Sequence, residues 1–422
     1  MKQLILLATM VLSWASYATT LIPAAPQSQA ILIQGGTLHT VTQGTLPDTD
    51  LLMVDGRIAK IGSPLTPPEG AIVVDASGKR VYPGLISMAS TLGLQEIGMV
   101  RSTVDQYEVG STNPQIDAVQ AYNPDSELIP TVRSNGITHA QITPHGEMLA
   151  GQSSVLNLDA WTIEDAMVKP LDGLHLYWPE LKLHPTNEKR QQQQKEVQQQ
   201  ALDELHQAFA DAYGYYQNQQ SREKQDRRWL AMKSLFDGKI NLYVHADRQQ
   251  QIEQALQLAQ QYRLKLVIIG GYDSYRLTEQ LVAQQVPVVY THANGLPLRR
   301  HEAFDLPFTI PSLLQDAGVS LALAYPGSWD SRNLPFAAGY AAANGLDANE
   351  ALKAITYQPA QIMGLTDMGA LEQGFRANVI VSDGDLLDMG QAKIDAIYID
   401  GRQIDLDNRH NQLYQKYQQK GQ

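Results

Sequence analysis

Apolar and polar positions follow one rhythm at the two ends of this chain and another in its middle. From Ile31 to Val81 short apolar runs are interrupted by two-residue turns. "DLLMVDGRIAKIG" sets apolar runs on both sides of Asp55-Gly56, a dipeptide suited to a tight hairpin. "AIVVDASGKRVYPG" repeats the device at Ser77-Gly78. Near the other end, "ANVIVSDGDLL" is followed by "KIDAIYIDGRQIDL", with a turn at Asp400-Gly401. Chain ends tend to lie close together in space, so these two β blocks are expected to form one small β-sandwich from residues 19–80 and 366–422.

In the middle the apolar runs become continuous rather than alternating. "KINLYVHA", "LKLVIIGG", "VPVVYTHA" and "GVSLALAYP" have the character of strands buried on both faces. Helical stretches separate them. "RQQQIEQALQLAQQYR" puts Ile252, Ala255, Leu256 and Ala259 on one face. Strand–helix alternation argues for a parallel sheet, and about eight such units close into a barrel of about 250 residues. The expected fold is therefore α/β: a (β/α)8 TIM-type barrel over residues 81–365, flanked by the β-sandwich. A Gln-rich insertion at about 185–235 carries Leu202, Leu205, Phe209 and Tyr213 at helical spacing, which predicts a long, largely solvated helix.

With 422 residues, 43% of them hydrophobic, the chain can bury a large core. It has no cysteine, which excludes disulfides and thiolate chemistry. A net charge of -12 and the lack of a basic, aromatic-laced patch argue against nucleic acid as a partner. Lys2, the apolar stretch Leu4 to Trp14 and small residues ending at Ala18 read as a secretory signal over residues 1–18. That stretch is too short to span a bilayer. The expected location is the periplasm or the medium, with no membrane span after cleavage.

"DGRIAKIG" and "KRVYPGLI" near the start, with "ITYQPAQIMGL" and "GALEQGFRANVIV" near the end, resemble the amidohydrolase superfamily, in particular imidazolonepropionase-like and related exported members. The resemblance covers nearly the whole mature chain. It implies a hydrolase acting on carbon–nitrogen bonds, other than peptide bonds, in a small molecule. It also implies a metal, usually zinc, at the C-terminal ends of the barrel strands, where it activates water.

Most of the implied ligand positions hold other residues here. The His-x-His pair matches Ala89 and Thr91, and the Asp before it matches Ser87. Gly270 stands in place of the strand-six histidine, and Pro326 near that of the strand-eight Asp. His245 in "YVHA" is the one retained metal-ligand position. The usual metal site is expected to be absent and no cofactor is expected, with zinc held only if other residues assemble a replacement.

His245, Asp330 and His292 are the candidate catalytic residues, with His139 and His145 as further members of an acid–base or metal cluster. Asp330 also suits a loop cap paired with Arg332, and His139 a strand interior. The polar stretch after the first barrel strand carries Glu96, Asp105 and Glu108, expected to pair with Arg101 and Arg133. "GEMLAGQSS" is expected as a tight loop near the mouth. There is no G-x-S-x-G nucleophile elbow. The alternative to catalysis is a non-catalytic subunit that binds a small ligand or supports an active relative; the expected partners are a small-molecule ligand and a homo-oligomer or a complex with an active relative.

Overall fold

Five strands open the fold: β1 (Ile31–His39), β2 (Thr45–Val54), β3 (Arg57–Gly62), β4 (Ile72–Asp75) and β5 (Arg80–Pro83). The computed structural model describes residues 22–218 and 225–420, so the signal segment expected over residues 1–18 lies outside the described residues. The β2–β3 hairpin turns at Asp55-Gly56, where both residues have positive φ, as the tight turn requires.

The middle of the chain supplies β6 (Leu85–Ser90), β7 (Ile137–Ile142), β8 (Leu149–Asn157), β9 (Met167–Tyr177), β10 (Asn241–Ala246), β11 (Lys265–Gly270), β12 (Val288–Tyr290) and β13 (Leu321–Leu323). They form one eight-stranded sheet in sequence order. A parallel bridge from Ser90 to Gly327 brings the first strand against the end of the last, so the sheet is a nearly closed TIM-type barrel. Its outward side chains, such as Leu242, Val244, Ile268 and Val288, pack under the surrounding helices. Ile86, Tyr243, Val267, Ile269, Val289 and Ala322 fill the interior.

One strand departs from the all-parallel expectation. β8 runs antiparallel to both β7 and β9. Residues 143–148 link β7 to β8, too few for the dozen or more that a parallel crossover needs. "LAGQSS" was expected in a loop and belongs instead to this strand, which Gly151 enters at φ +131.

β14 (Val379–Asp383), β15 (Lys393–Ile399) and β16 (Arg402–Gln403) return to the N-terminal strands. β14 pairs antiparallel with β5, giving the order β16-β15-β14-β5-β1-β2-β3, with β4 on β1. The two ends of the chain thus share one connected sheet around its own core, which includes Ile33, Leu51, Val81, Val379 and Tyr398. The Gln-rich insertion forms the helix Glu188–Gln217, docked through Leu205, Phe209 and Ala212 while its first half faces solvent.

A buried ion cluster ties the terminal sheet to the barrel. Asp159 accepts from Arg133 (2.5 Å), Arg402 (2.9 Å) and the Ala24 backbone N–H (3.0 Å). Arg133 was expected to meet the acids of the long loop; it turns inward because Asp159, 1% exposed, is itself buried beside it. His139 is also fully buried, with Nδ1 against Thr138 Oγ1 and Nε2 unpartnered. Burial lowers its pKa to about 3, and Arg376 and Arg402 act in the same direction against Asp400.

Two outcomes follow. Asp159→Ala leaves two cations without their carboxylate and is expected to cost about 3–5 kcal/mol in a urea melt. His139 is neutral when folded, so its contribution to stability is complete above the unfolded pKa of about 6.5 and is lost as pH falls from there toward 3. His139→Asn is expected to flatten the stability–pH curve over that window by up to about 1.4 kcal/mol per pH unit, measured by denaturant melts at a series of pH values.

Candidate functional site

Parallel strands end together, so β9 to β13 deliver their last residues to one rim. At this rim lies a cavity of about 420 Å3, whose wall includes His245, His292, Asp247, His145 and Tyr177. His245 is the fifth residue of β10, aimed inward by the alternation of the strand. Its Nε2 stands 3.0 Å from Nδ1 of His175 on the paired strand β9. Tyr177 stacks on His245, with ring centroids 3.9 Å apart. Burial holds both imidazoles well below their ordinary range, His175 at about 3, so the neutral rings share a single proton between facing nitrogens.

Beneath the pair runs a buried polar chain. Tyr243 stacks on His175 and donates to Asp172 at 2.6 Å. Asp172 also accepts from Gln141 at 2.6 Å and from Lys169 at 3.1 Å. Burial pushes the Asp172 carboxyl upward, with Lys169 and the hydroxyl and amide donors pulling the other way. The other end of the Gln141 amide accepts from the Ala89 N–H at 3.0 Å. Ala89 itself has φ +54, a left-handed conformation uncommon for alanine, and it lines the cavity.

His292, just beyond β12, points Nε2 at Asp247 Oδ1 across 2.7 Å. The aspartate follows His245 by two residues at the end of β10. Gly270 makes room for it: a Cβ built there would lie 2.5 Å from the same oxygen. Arg299 bridges Asp273 and Glu302, and Tyr272 donates to Glu302 at 2.9 Å, fixing the loop after His292 against the rim.

The structure therefore brings His245, His292 and His145 to one cavity. It places Asp330 elsewhere: this side chain is 61% exposed, 3.5 Å from Arg332, on a short 3-10 turn outside the cavity wall. His139 is buried in β7 and does not line the cavity. Sequence reasoning missed Asp247, His175 and Tyr177. Asp247 lies two residues after His245 in "HAD", and His175 and Tyr177 lie in "GLHLYW", but the pairings that define all three cross between strands. Among the described residues, no group of three or more His, Asp or Glu side chains converges so as to hold a metal ion.

An amidohydrolase family model matches residues 309–405. The structure of an amidohydrolase from Thermotoga maritima superposes with a TM-score of 0.79 at 25% identity, over 89% of this chain and 99% of that one. Molinate hydrolase shares the fold more loosely, with a TM-score of 0.53 at 15% identity, over 91% of this chain and 96% of that one. By sequence, dihydroorotase from Pelotomaculum thermopropionicum is 47% identical over 58 residues, which is 14% of this chain and 13% of that enzyme. The chain thus matches a small part of the dihydroorotases' length. Amidohydrolase tasK from Hapsidospora irregularis is 20% identical over 83% of this chain and 39% of its own length.

Gly270→Ala tests the geometry of the rim. With φ +97 and the Asp247 carboxylate in the way, the substitution is expected to destabilise the fold by about 1–3 kcal/mol. A crystal structure of the variant is expected to show Asp247 displaced from His292; an unmoved pair with unchanged stability contradicts the packing described.

Proposed function

We propose, from the premise that the chain belongs to the amidohydrolase superfamily, that it is an exported hydrolase-type protein. It acts on a carbon–nitrogen bond of a small molecule with protein acid–base groups in place of the usual metal. The observation that carries this reading is the Asp247–His292 pair, 2.7 Å apart in the wall of the mouth cavity. We read the connected sheet of the two chain ends, with its own core, as the β-sandwich expected from residues 19–80 and 366–422. Export is supported by Lys2, the apolar run to Trp14 and the small residues ending at Ala18.

The donor set does not fit the superfamily's metal. A catalytic zinc takes three protein ligands and leaves one position open. At this rim the methyl of Ala89 and the bare Gly270 supply no donor, and the His175–His245 pair stands without a third. No step is therefore routed through a metal.

Asp247 accepts the Nε2 proton of His292, which fixes the tautomer and leaves Nδ1 as the free base. In the proposed step Nδ1 takes a proton from water as the water oxygen bonds to the substrate carbonyl carbon. The imidazolium then gives this proton to the departing nitrogen as the carbon–nitrogen bond breaks. His245, neutral and braced by Tyr177 and His175, orients the carbonyl side of the substrate. General acid–base catalysis of this kind contributes about 10²- to 10⁴-fold.

The second reading is a non-catalytic subunit that binds a small ligand or supports an active relative. Ala89 and Gly270 at the rim favour it, since they leave the cavity in place while removing donors.

A panel of cyclic amides, N-acyl amino acids and related small amides separates the two. The cyclic members are prompted by the partial likeness to dihydroorotase. Hydrolysis is expected, with kcat lowered about 10²- to 10⁴-fold in His292→Ala and Asp247→Asn. Asp330→Ala is expected to stay within about two-fold, because its exposed side chain lies outside the cavity. A fully active His292→Ala overturns the assignment. Tight retention of a panel member without turnover favours the second reading.

A further inference from the structure

The N-terminal ends of β9, β10 and β11 surround another cavity, of about 700 Å3, larger than the one at the mouth. Four cationic side chains stand in its wall: Lys169, Lys239, Arg263 and Lys265. Among the described residues the wall contains no Asp or Glu, in a chain that carries 44 acidic against 32 basic residues. Carboxamides, including Gln284 and Gln285, supply further donors and acceptors.

The immediate surroundings neutralise this charge only in part. Lys169 is held by Asp172 at 3.1 Å and by the Met363 carbonyl at 2.5 Å. Lys239 lies 3.3 Å from Asp237, which Lys233 also engages at 2.7 Å. Arg263 and Lys265 form no ion pair among the described residues. The carbonyl end of the helix Gln249–Tyr262 accounts for a cation at Arg263, its capping residue. It does not account for Lys239, just before β10, for Lys265, the first residue of β11, or for Lys169 within β9. Like charges gathered around one cavity repel, and a ligand of opposite sign relieves that repulsion.

We infer that this end of the barrel is a binding site for a small, multiply charged anion bearing phosphate or carboxylate groups, separate from the mouth cavity. The cations supply the charge complement, and the carboxamides hydrogen-bond the polar remainder of the ligand. The inference does not depend on the hydrolase reading.

The test uses the mature full-length chain, with inorganic pyrophosphate and citrate as probes and sodium chloride at matched ionic strength as control. Calorimetric titration is expected to show saturable binding of at least one probe. Its unfolding midpoint is expected to rise by about 3 °C at a hundredfold excess over Kd. Whichever probe binds more tightly tells phosphate from carboxylate. Lys265→Glu with Arg263→Asn is expected to weaken binding at least about ten-fold. Lys265→Gln, milder for the fold, is expected to weaken it by a smaller factor. Absence of binding by both probes beyond the chloride control overturns the inference. So does unchanged affinity in variants that remain folded.

Discussion

Closing a sheet of mostly parallel strands forces the strand ends onto a common rim, and the chemistry of this chain depends on what stands there. His245 and His175 come from adjacent paired strands, where Tyr177 and Tyr243 stand opposite them in register and stack on their rings, so the two imidazoles meet tilted with facing nitrogens 3.0 Å apart. His292 and Asp247 arise from β12 and β10, with the end of β11 between them, and meet because Gly270 leaves the space. Side chains on a rigid sheet keep their geometry without help from mobile loops.

Below the rim, the polar chain from Ala89 through Gln141 and Asp172 to Tyr243 sits in an otherwise apolar interior. Burying a polar group without a partner is costly, and from Ala89 to Tyr243 each link bonds the next. Asp172 receives three donors, Lys169 among them, and Tyr243 uses its hydroxyl for Asp172 and its ring face for His175. The interior is thus built to support imidazoles at the mouth. Ala89 takes part through its backbone, its N–H bound to Gln141 in a left-handed turn.

Much of the barrel is legible in the sequence because doubly buried strands read as unbroken apolar runs, as in "LKLVIIGG" and "VPVVYTHA". β8 and β9 escape that rule. Their inward positions hold polar residues such as Asp172 and His175, and "LAGQSS" contains small residues that look like a loop. The terminal hairpins announce themselves through Asp-Gly turns, whereas the single connected sheet depends on β14 meeting β5 across almost three hundred residues. At the site, His245 stands out near the end of a buried strand and His292 just past one. Asp247 and His175 have no local signal, since what defines them is a neighbour on another strand.

We propose that the mouth works by acid–base groups, with too few donors at its rim for a divalent cation. Titration of zinc into chelator-stripped protein, followed by calorimetry, tests this most directly. The account predicts no binding at the mouth tighter than about 10 μM, and no change in any weak binding when His245 is replaced by alanine. One zinc per chain held at nanomolar affinity, and lost in that variant, would contradict it.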